Sequence, residues 1–245
     1  MKTTMIAAAA AATTLTLAPM QASALVIDDF TIAQQVVDVP TAGFQSASQV
    51  SGLGILGGYR DMRVERISGN APPEFDAVLS ASGGTLGFSN TFGTLSRAWI
   101  VYDGDNDFSS TGIVNTSGLG GVNFLIGPSP FLDFNIITAD AGLFVRISIW
   151  DMDGSKMEYT EDLPAFDVDP LLPLTDFNLV DGLEFDWARV GAIEFFVEAT
   201  VTAYDGQIGP ITLNAIPLPA PALLLLGGLG GLGGMTVLRN RRRKA

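Results

Sequence analysis

Phe144-Val145-Arg146-Ile147-Ser148-Ile149-Trp150 is the stretch whose reading decides the fold. Val145, Ile147 and Ile149 oppose Arg146 and Ser148. A period of two marks an extended strand with one apolar and one polar face. Working outward, residues 26–32, 62–67, 77–80, 97–102, 122–126, 132–138, 193–204 and 211–213 are further short extended runs. In 62–67, Met62 and Val64 alternate with Arg63 and Glu65 before the phase slips. Turn pairs punctuate the runs at Gly57-Gly58, Gly83-Gly84, Asp103-Gly104, Gly120-Gly121, Asp153-Gly154, Asp181-Gly182 and Asp205-Gly206, because Gly, Asp and Asn tolerate the backbone angles that turns need. No stretch of helical length carries a 3.6-residue period and no repeat of fixed length recurs, which disfavours αβ, solenoid and propeller folds. The pattern predicts an all-β chain, a sandwich or a barrel, folded as one domain over residues 25–214. Residues 163–175, with Pro164, Pro170 and Pro173, read as a long ordered loop within it.

Composition narrows the chemistry. The 245 residues include no cysteine and no histidine. Thiol chemistry, thiolate zinc sites, histidine-ligated metals and serine–histidine triads are therefore excluded. The 13 basic residues face 26 acidic ones, and every acidic residue lies between Asp28 and Asp205. Six of the basic residues, Lys2, Arg239, Arg241, Arg242, Arg243 and Lys244, sit at the ends, so the body carries seven basic groups against 26 acidic. Such a surface repels phosphate backbones, which argues against nucleic acid as a partner.

Both ends read as targeting segments. Residues 1–24 have the form of a secretory signal helix: Lys2, an apolar stretch, then Ala22-Ser23-Ala24, whose small-x-small pattern places cleavage before Leu25. At the other end, residues 215–221 hold Ile216-Pro217-Leu218-Pro219-Ala220-Pro221, whose three prolines break secondary structure. Residues 222–238 form an uncharged, apolar, glycine-rich stretch of 17 residues, about 25 Å as a helix and short for a bilayer span. Residues 239–245 close the chain with the basic cluster, expected to stay cytoplasmic. The glycines suit a span that is held briefly and then removed; an ordinary single-pass anchor is the alternative.

Pro217-Leu218-Pro219-Ala220, one apolar stretch and a terminal arginine cluster resemble the VPLPA-CTERM variant of the PEP-CTERM sorting signals, with Ile216 where that family has Val. The resemblance covers about the last 30 residues. It implies passage through the secretion machinery, transient membrane insertion, and cleavage by an exosortase-type transpeptidase that delivers the body to the outer surface or extracellular matrix. Ile27-Asp28-Asp29-Phe30, Leu56-Gly57-Gly58-Tyr59-Arg60-Asp61 and Tyr102-Asp103-Gly104 resemble, more loosely, the galactose-binding-like jelly rolls shared by many carbohydrate-binding modules. That resemblance implies a β-sandwich and polysaccharide as a partner. It also implies a structural Ca²⁺ where the first and last strands meet, with Asp28, Asp29 and Asp205 as the acidic groups.

Two further readings concern sites. Asp103, Asp105 and Asp107 crowd one loop with oxygen ligands of the sort Ca²⁺ takes, although the loop lacks the EF-hand glycine and glutamate, and a solvated acidic turn is the alternative. Asp151-Met152-Asp153-Gly154 reads first as a hairpin turn. Aromatic faces stack on sugar rings. Trp99 and Trp150, inside strand runs, are expected in the core, which leaves Trp187 and Tyr59 as the candidate stacking residues. The expected function is a non-catalytic structural or carbohydrate-binding body. The alternative, a secreted glycan-active enzyme, would need two carboxyl groups about 5 to 9 Å apart.

Overall fold

A computed structural model describes residues 24–38, 46–68, 77–105, 114–140, 142–163 and 171–215. The signal segment up to residue 23, with Ala22, lies outside them. So do Asp107, Ile216, Pro217, Leu218, Pro219, Ala220, the apolar stretch and the basic cluster Arg239, Arg241, Arg242, Arg243 and Lys244. Among the described residues no helix is long and apolar enough to cross a membrane.

The strands in chain order are β1 (Leu25–Asp28), β2 (Gln34–Asp38), β3 (Ala47–Ser51), β4 (Tyr59–Ser68), β5 (Ala77–Ser82), β6 (Thr85–Asn90) and β7 (Leu95–Tyr102). They continue as β8 (Pro130–Ala139), β9 (Leu143–Asp151), β10 (Lys156–Leu163), β11 (Leu171–Pro173), β12 (Asn178–Asp181), β13 (Val190–Ala199) and β14 (Asp205–Ala215). Two antiparallel seven-stranded sheets result. The first runs β11-β8-β14-β6-β5-β2, with β1 beside the second half of β14; the other runs β12-β10-β9-β13-β7-β4-β3. This is the all-β chain the alternation predicts, folded as a sandwich. One continuous core fills it, with Leu79, Phe88, Leu132 and Ile211 on one side and Met62, Ile100, Ile147, Ile149 and Phe195 on the other. Phe134 and Phe195 meet edge to face across the gap, with ring centroids 5.6 Å apart.

The deciding strand alternates in direction as read: Ile147 and Ile149 are buried and Val145 half-buried, while Arg146 and Trp150 remain partly exposed; Ser148, on the polar side, is nonetheless fully covered. The phase slip after Glu65 is a register shift between Arg66 and Ser68 in the β4–β7 ladder. Gly83 and Gly84, at φ 59° and 89°, make the two-residue turn of the β5–β6 hairpin, a conformation a side chain resists.

Several expectations are corrected. Residues 122–126 contribute only an isolated bridge, Val122 to Val190. Asp205-Gly206 is no turn but the opening of β14, where Gly206 pairs with Ala139. The reversal falls just before, and Ala203 takes the left-handed φ of 60°. The run 193–204 therefore ends as a strand at Ala199. The proline-rich loop likewise contains β11, which pairs with β8.

The three loosely matched motifs converge in the interior. Asp28 on β1 takes two hydrogen bonds from Arg60 Nη1 on β4, at 3.1 and 2.9 Å, and one from the Tyr102 hydroxyl on β7 at 2.8 Å. Arg60 Nε donates to Gln34 Oε1 at 2.7 Å and Nη2 to the Ile32 carbonyl at 2.6 Å. Asp28 also accepts the Phe30 N–H at 2.8 Å, which holds Phe30 at a φ of 52° with its ring in the core beside the guanidinium. Asp28, Arg60 and Tyr102 are all fully buried. Burial pushes the Asp28 carboxyl above its ordinary range, and Arg60, the Phe30 N–H and Tyr102 pull it back. Burial, with Asp28 beside it, holds the Tyr102 phenol well above its usual value.

Breaking a buried ion pair from one side strands the other charge, which costs about 3–5 kcal/mol. Arg60→Met is expected to lose that much in urea unfolding. The Asp28→Leu, Arg60→Met double variant is expected to lose clearly less than the two single losses added. Additive losses would mean that the pair is not coupled.

Candidate functional site

The outer face of the second sheet follows from alternation. On β7, Ser96, Ala98, Ile100 and Tyr102 point inward, which turns Arg97 and Trp99 out. On β13 the inward Ile193 and Phe195 leave Glu194 and Phe196 outside. On β9 the outward set is Phe144, Arg146, Ser148 and Trp150. On β4, Tyr59, Asp61, Arg63 and Glu65 alternate with the inward Arg60, Met62 and Val64.

Register then lays these side chains in rows across the strands. Arg63 pairs with Trp99, Trp99 with Phe196, and Phe196 with Arg146. The neighbouring row on one side is Glu65, Arg97, Glu198 and Phe144. On the other it is Asp61, Val101, Glu194, Ser148 and Glu158. A further row places Trp150 beside Lys156.

Within this grid the rings and cations are locked together. Trp99 lies 5.3 Å from Phe196, and the guanidinium carbons of Arg63 and Arg97 sit 4.9 and 5.2 Å from its ring centre. Arg146 stands 4.5 Å over the Phe196 ring, and the Lys156 ammonium 5.2 Å from that of Trp150. Cation–π attraction of this kind orients the rings and the planar donors together. Glu65 bridges Arg97 at 3.2 and 3.3 Å and reaches Arg63 at 3.3 Å. Glu194 meets Arg146 at 3.4 Å, and Glu158 meets Lys156 at 2.7 Å and Ser148 at 3.3 Å. The side chains of Arg63 and Arg97 stay 39% and 37% exposed, so their remaining N–H donors face solvent. Four of the seven basic residues of the body thus share one face. Chemically, it offers the partly exposed Trp99 and Trp150 rings flanked by forked donors and carboxylate acceptors, while Phe196, 6% exposed, supports Trp99 from beneath.

The residues expected at a site fall as follows. Tyr59 is half-buried on this outer face, at the β3 side, opposite Ser51. Trp187 is not on it. Its ring packs among Phe124 at 6.5 Å, Phe177 at 5.8 Å and Phe185 at 4.6 Å, against the core. Trp99 and Trp150, expected inside, are the tryptophans on the outer face. The same period of two that buries Ile147 and Ile149 carries Trp150 outward with Arg146, and that signal was available in the sequence.

The acidic residues serve the backbone. Asp103 accepts the N–H groups of Asp105 and Asn115 at 3.1 and 2.9 Å, and Asp105 accepts the Asn115 amide at 3.2 Å. Asp151 takes the N–H groups of Asp153, Ser155 and Asp186 at 3.0, 2.9 and 3.0 Å, closing the β9–β10 hairpin turn. Asp29 binds the Thr31 hydroxyl and N–H, which lower its pKa. Asp28 and Asp29 are not brought to Asp205. Asp28 pairs with Ile211, six positions along β14 from Asp205, which is about 20 Å of extended chain. Asp205 instead adjoins Asp140, whose carboxylate accepts its N–H at 3.0 Å. Among the described residues no group of three or more Asp and Glu is placed to hold a metal ion.

No family model matches the sequence, and no curated protein matches it. Among solved structures the chain is similar to the family 11 carbohydrate-binding module of the cellulosomal cellulase Lic26A-Cel5E of Clostridium thermocellum, at 11% identity over 78% of this chain and 99% of that one, with a TM-score of 0.34. A family 11 module of the same organism in complex with a β-1,3-1,4-mixed-linked tetrasaccharide matches at 12% identity, covering 73% and 94%, with a TM-score of 0.32. The agarase AgWH50C matches at 13%, covering 81% of this chain and 25% of its own, with a TM-score of 0.35. The class that fold and face define is a two-sheet β-sandwich with an aromatic, charge-paired outer surface.

The two tryptophan environments differ measurably. Trp187→Ala opens a cavity in an aromatic cluster and is expected to cost about 3–5 kcal/mol in chemical unfolding. Trp99→Ala, which removes a ring from the solvent face, is expected to cost about 1 kcal/mol. Equal losses would contradict this assignment.

Proposed function

We propose that this chain is an exported surface protein whose β-sandwich binds polysaccharide, without catalysis, on the outer face of the second sheet. The observation that carries the reading is the cross-strand row Arg63–Trp99–Phe196–Arg146. A sugar ring presents apolar C–H surface to an aromatic face and hydroxyl groups at its rim. Trp99 supplies the platform, and Arg63, Arg97, Glu65 and Glu194 stand beside it as donors and acceptors already oriented by one another. Preorganised polar groups around an apolar platform are what a binding face needs, since ordering them on binding costs affinity. The body's excess of acidic residues favours neutral glycans over polyanionic ones.

Affinity electrophoresis in gels cast with mixed-linkage β-glucan or agarose tests this. The wild-type chain is expected to be retarded in at least one, and Trp99→Ala to weaken the retardation about tenfold or more. Wild-type mobility unchanged in both gels and in the source cells' own matrix polysaccharide, or a Trp99→Ala chain that binds as well as wild type, would remove the reading.

The proposal includes sorting: export by the signal segment, transient membrane insertion, and cleavage near Pro217–Ala220 by an exosortase-type transpeptidase. Its support is the ordered motif, apolar stretch and basic cluster of the C-terminal sequence. Mass spectrometry of the protein recovered from envelope and medium is expected to show a chain beginning at Leu25 and ending within the proline motif. A chain retaining residues 239–245 would mean a permanent anchor instead.

A further inference from the structure

We infer that the space between the two sheets, at the end where β8 turns into β9 and β13 into β14, is a binding site for a ring-sized apolar group that carries one hydroxyl.

A cavity of about 110 Å³ opens there. Leu86, Phe88 and Ile208 wall it on the first sheet, and Leu143, Val145 and Val197 on the second. Native interiors are close-packed, and few of their voids exceed one water molecule. A space of this size stands out in such an interior. Water is a poor tenant, since a buried water needs two to four polar partners and these walls offer hydrocarbon. The benchmark for such a space is an engineered cavity of about 150 Å³, lined by Leu, Ile and Phe in another protein, which stays dry and takes benzene. The present cavity is somewhat smaller, which limits its occupant to one ring or a short branched alkyl group.

The polar exceptions say where the head of that occupant goes. Tyr159 and Glu161 on β10 lie opposite Ile147 and Val145 in register, and both line the cavity. A carboxylate on the inward side of a sandwich strand breaks the binary pattern. The Tyr159 hydroxyl donates to Glu161 Oε2, while Oε1 accepts no hydrogen bond from the described residues. Glu161 lines the cavity, and its carboxylate, with one oxygen left over, is the acceptor for a ligand hydroxyl. Gln207, another polar lining residue, is already engaged, its amide donating to Thr85 at 3.0 Å. The surface beside this end is mixed: Val201, on the β13–β14 turn, is 41% exposed and Phe92, on the β6–β7 turn that hydrogen-bonds to it, 85%, while Asp140 and Asp205 are exposed there too. A ligand that enters here passes Val201 and Phe92 and meets the acceptor at the cavity wall.

Toluene and benzyl alcohol are the probes, added to the full-length chain. Both are expected to raise Tm, by roughly 5–10 °C at a free concentration of about 100 times Kd. Benzyl alcohol is expected to bind about tenfold more tightly than toluene relative to the same pair of probes on Glu161→Leu, because that variant keeps the cavity and loses the acceptor. Val197→Phe fills the space and is expected to abolish both shifts while retaining the wild-type Tm. Should Val197→Phe fail to fold, methyl resonances of the wild-type chain decide. Probe-induced shifts confined to Leu86, Leu143, Val145 and Val197 support the site, and shifts elsewhere overturn it. No Tm rise with either probe, an undiminished rise in Val197→Phe, or an unchanged preference in Glu161→Leu would each overturn it too. Trp99→Ala is expected to leave these shifts intact, so this result stands or falls apart from glycan binding.

Discussion

A guanidinium with no access to water sits between the sheets at one end of this sandwich, and the strands around it are arranged to satisfy it. Taking Arg60 and Asp28 out of solvent costs several kcal/mol per ion unless geometry and hydrogen bonding return it. Here the Arg60 nitrogens reach Asp28, Gln34 and the Ile32 carbonyl, while Asp28 also holds the Phe30 N–H and the Tyr102 hydroxyl. These partners come from β1, β2, β4 and β7, hence from both sheets. The network therefore fixes one sheet on the other and pins the start of the domain. It also explains a strained residue, since Phe30 keeps its left-handed backbone because the Asp28 carboxylate caps it.

With the sheets clamped at one end by an ion pair, the other end meets through hydrocarbon and a neutral polar link, Asn90 Nδ2 donating to Ser96 Oγ at 3.1 Å. That is where the cavity lies, farther along β9, β13 and β14. The two ends of the same sandwich thus obey different rules: full hydrogen-bond satisfaction in one, incomplete packing in the other. The outer face of the second sheet obeys a third. Its arginines and lysine are each placed against a ring and a carboxylate, which holds long side chains in single geometries at a solvent boundary where they would otherwise sample many.

Legibility in the sequence tracks how strongly each strand alternates. Strand β9 reads plainly because its inner members are Val and Ile, with Arg146 and Ser148 between them on the other face. Strands β2, β3, β6 and β10 escaped because their compositions, Gln34–Asp38, Ala47–Ser51, Thr85–Asn90 and Lys156–Leu163, are rich in polar or small residues. Strand β3 lies at a sheet edge and buries little, and β10 turns Tyr159 and Glu161 inward where a core would want aliphatics. The site was harder. Trp187 looked exposed in a polar context, yet the rings that enclose it, Phe124, Phe177 and Phe185, come from three separated segments. Trp99 and Trp150 were set inside on the general burial of large aromatics, against the alternation of their own strands.

The linear sequence by itself determined the all-β character, the hairpin turn at Asp153-Gly154, the absence of thiol and imidazole chemistry, and the charge separation between body and ends. Each of these is local: a period of two, a residue type suited to a turn, a composition. Tertiary structure alone decided that Asp28, Arg60 and Tyr102 share one buried cluster, that Asp28 and Asp205 stand apart along β14, and that Arg63, Trp99, Phe196 and Arg146 form a single row. The reason is register. A one-residue slip in any ladder moves every side chain to the opposite face, and which strands lie side by side is settled by contacts between residues far apart in the chain.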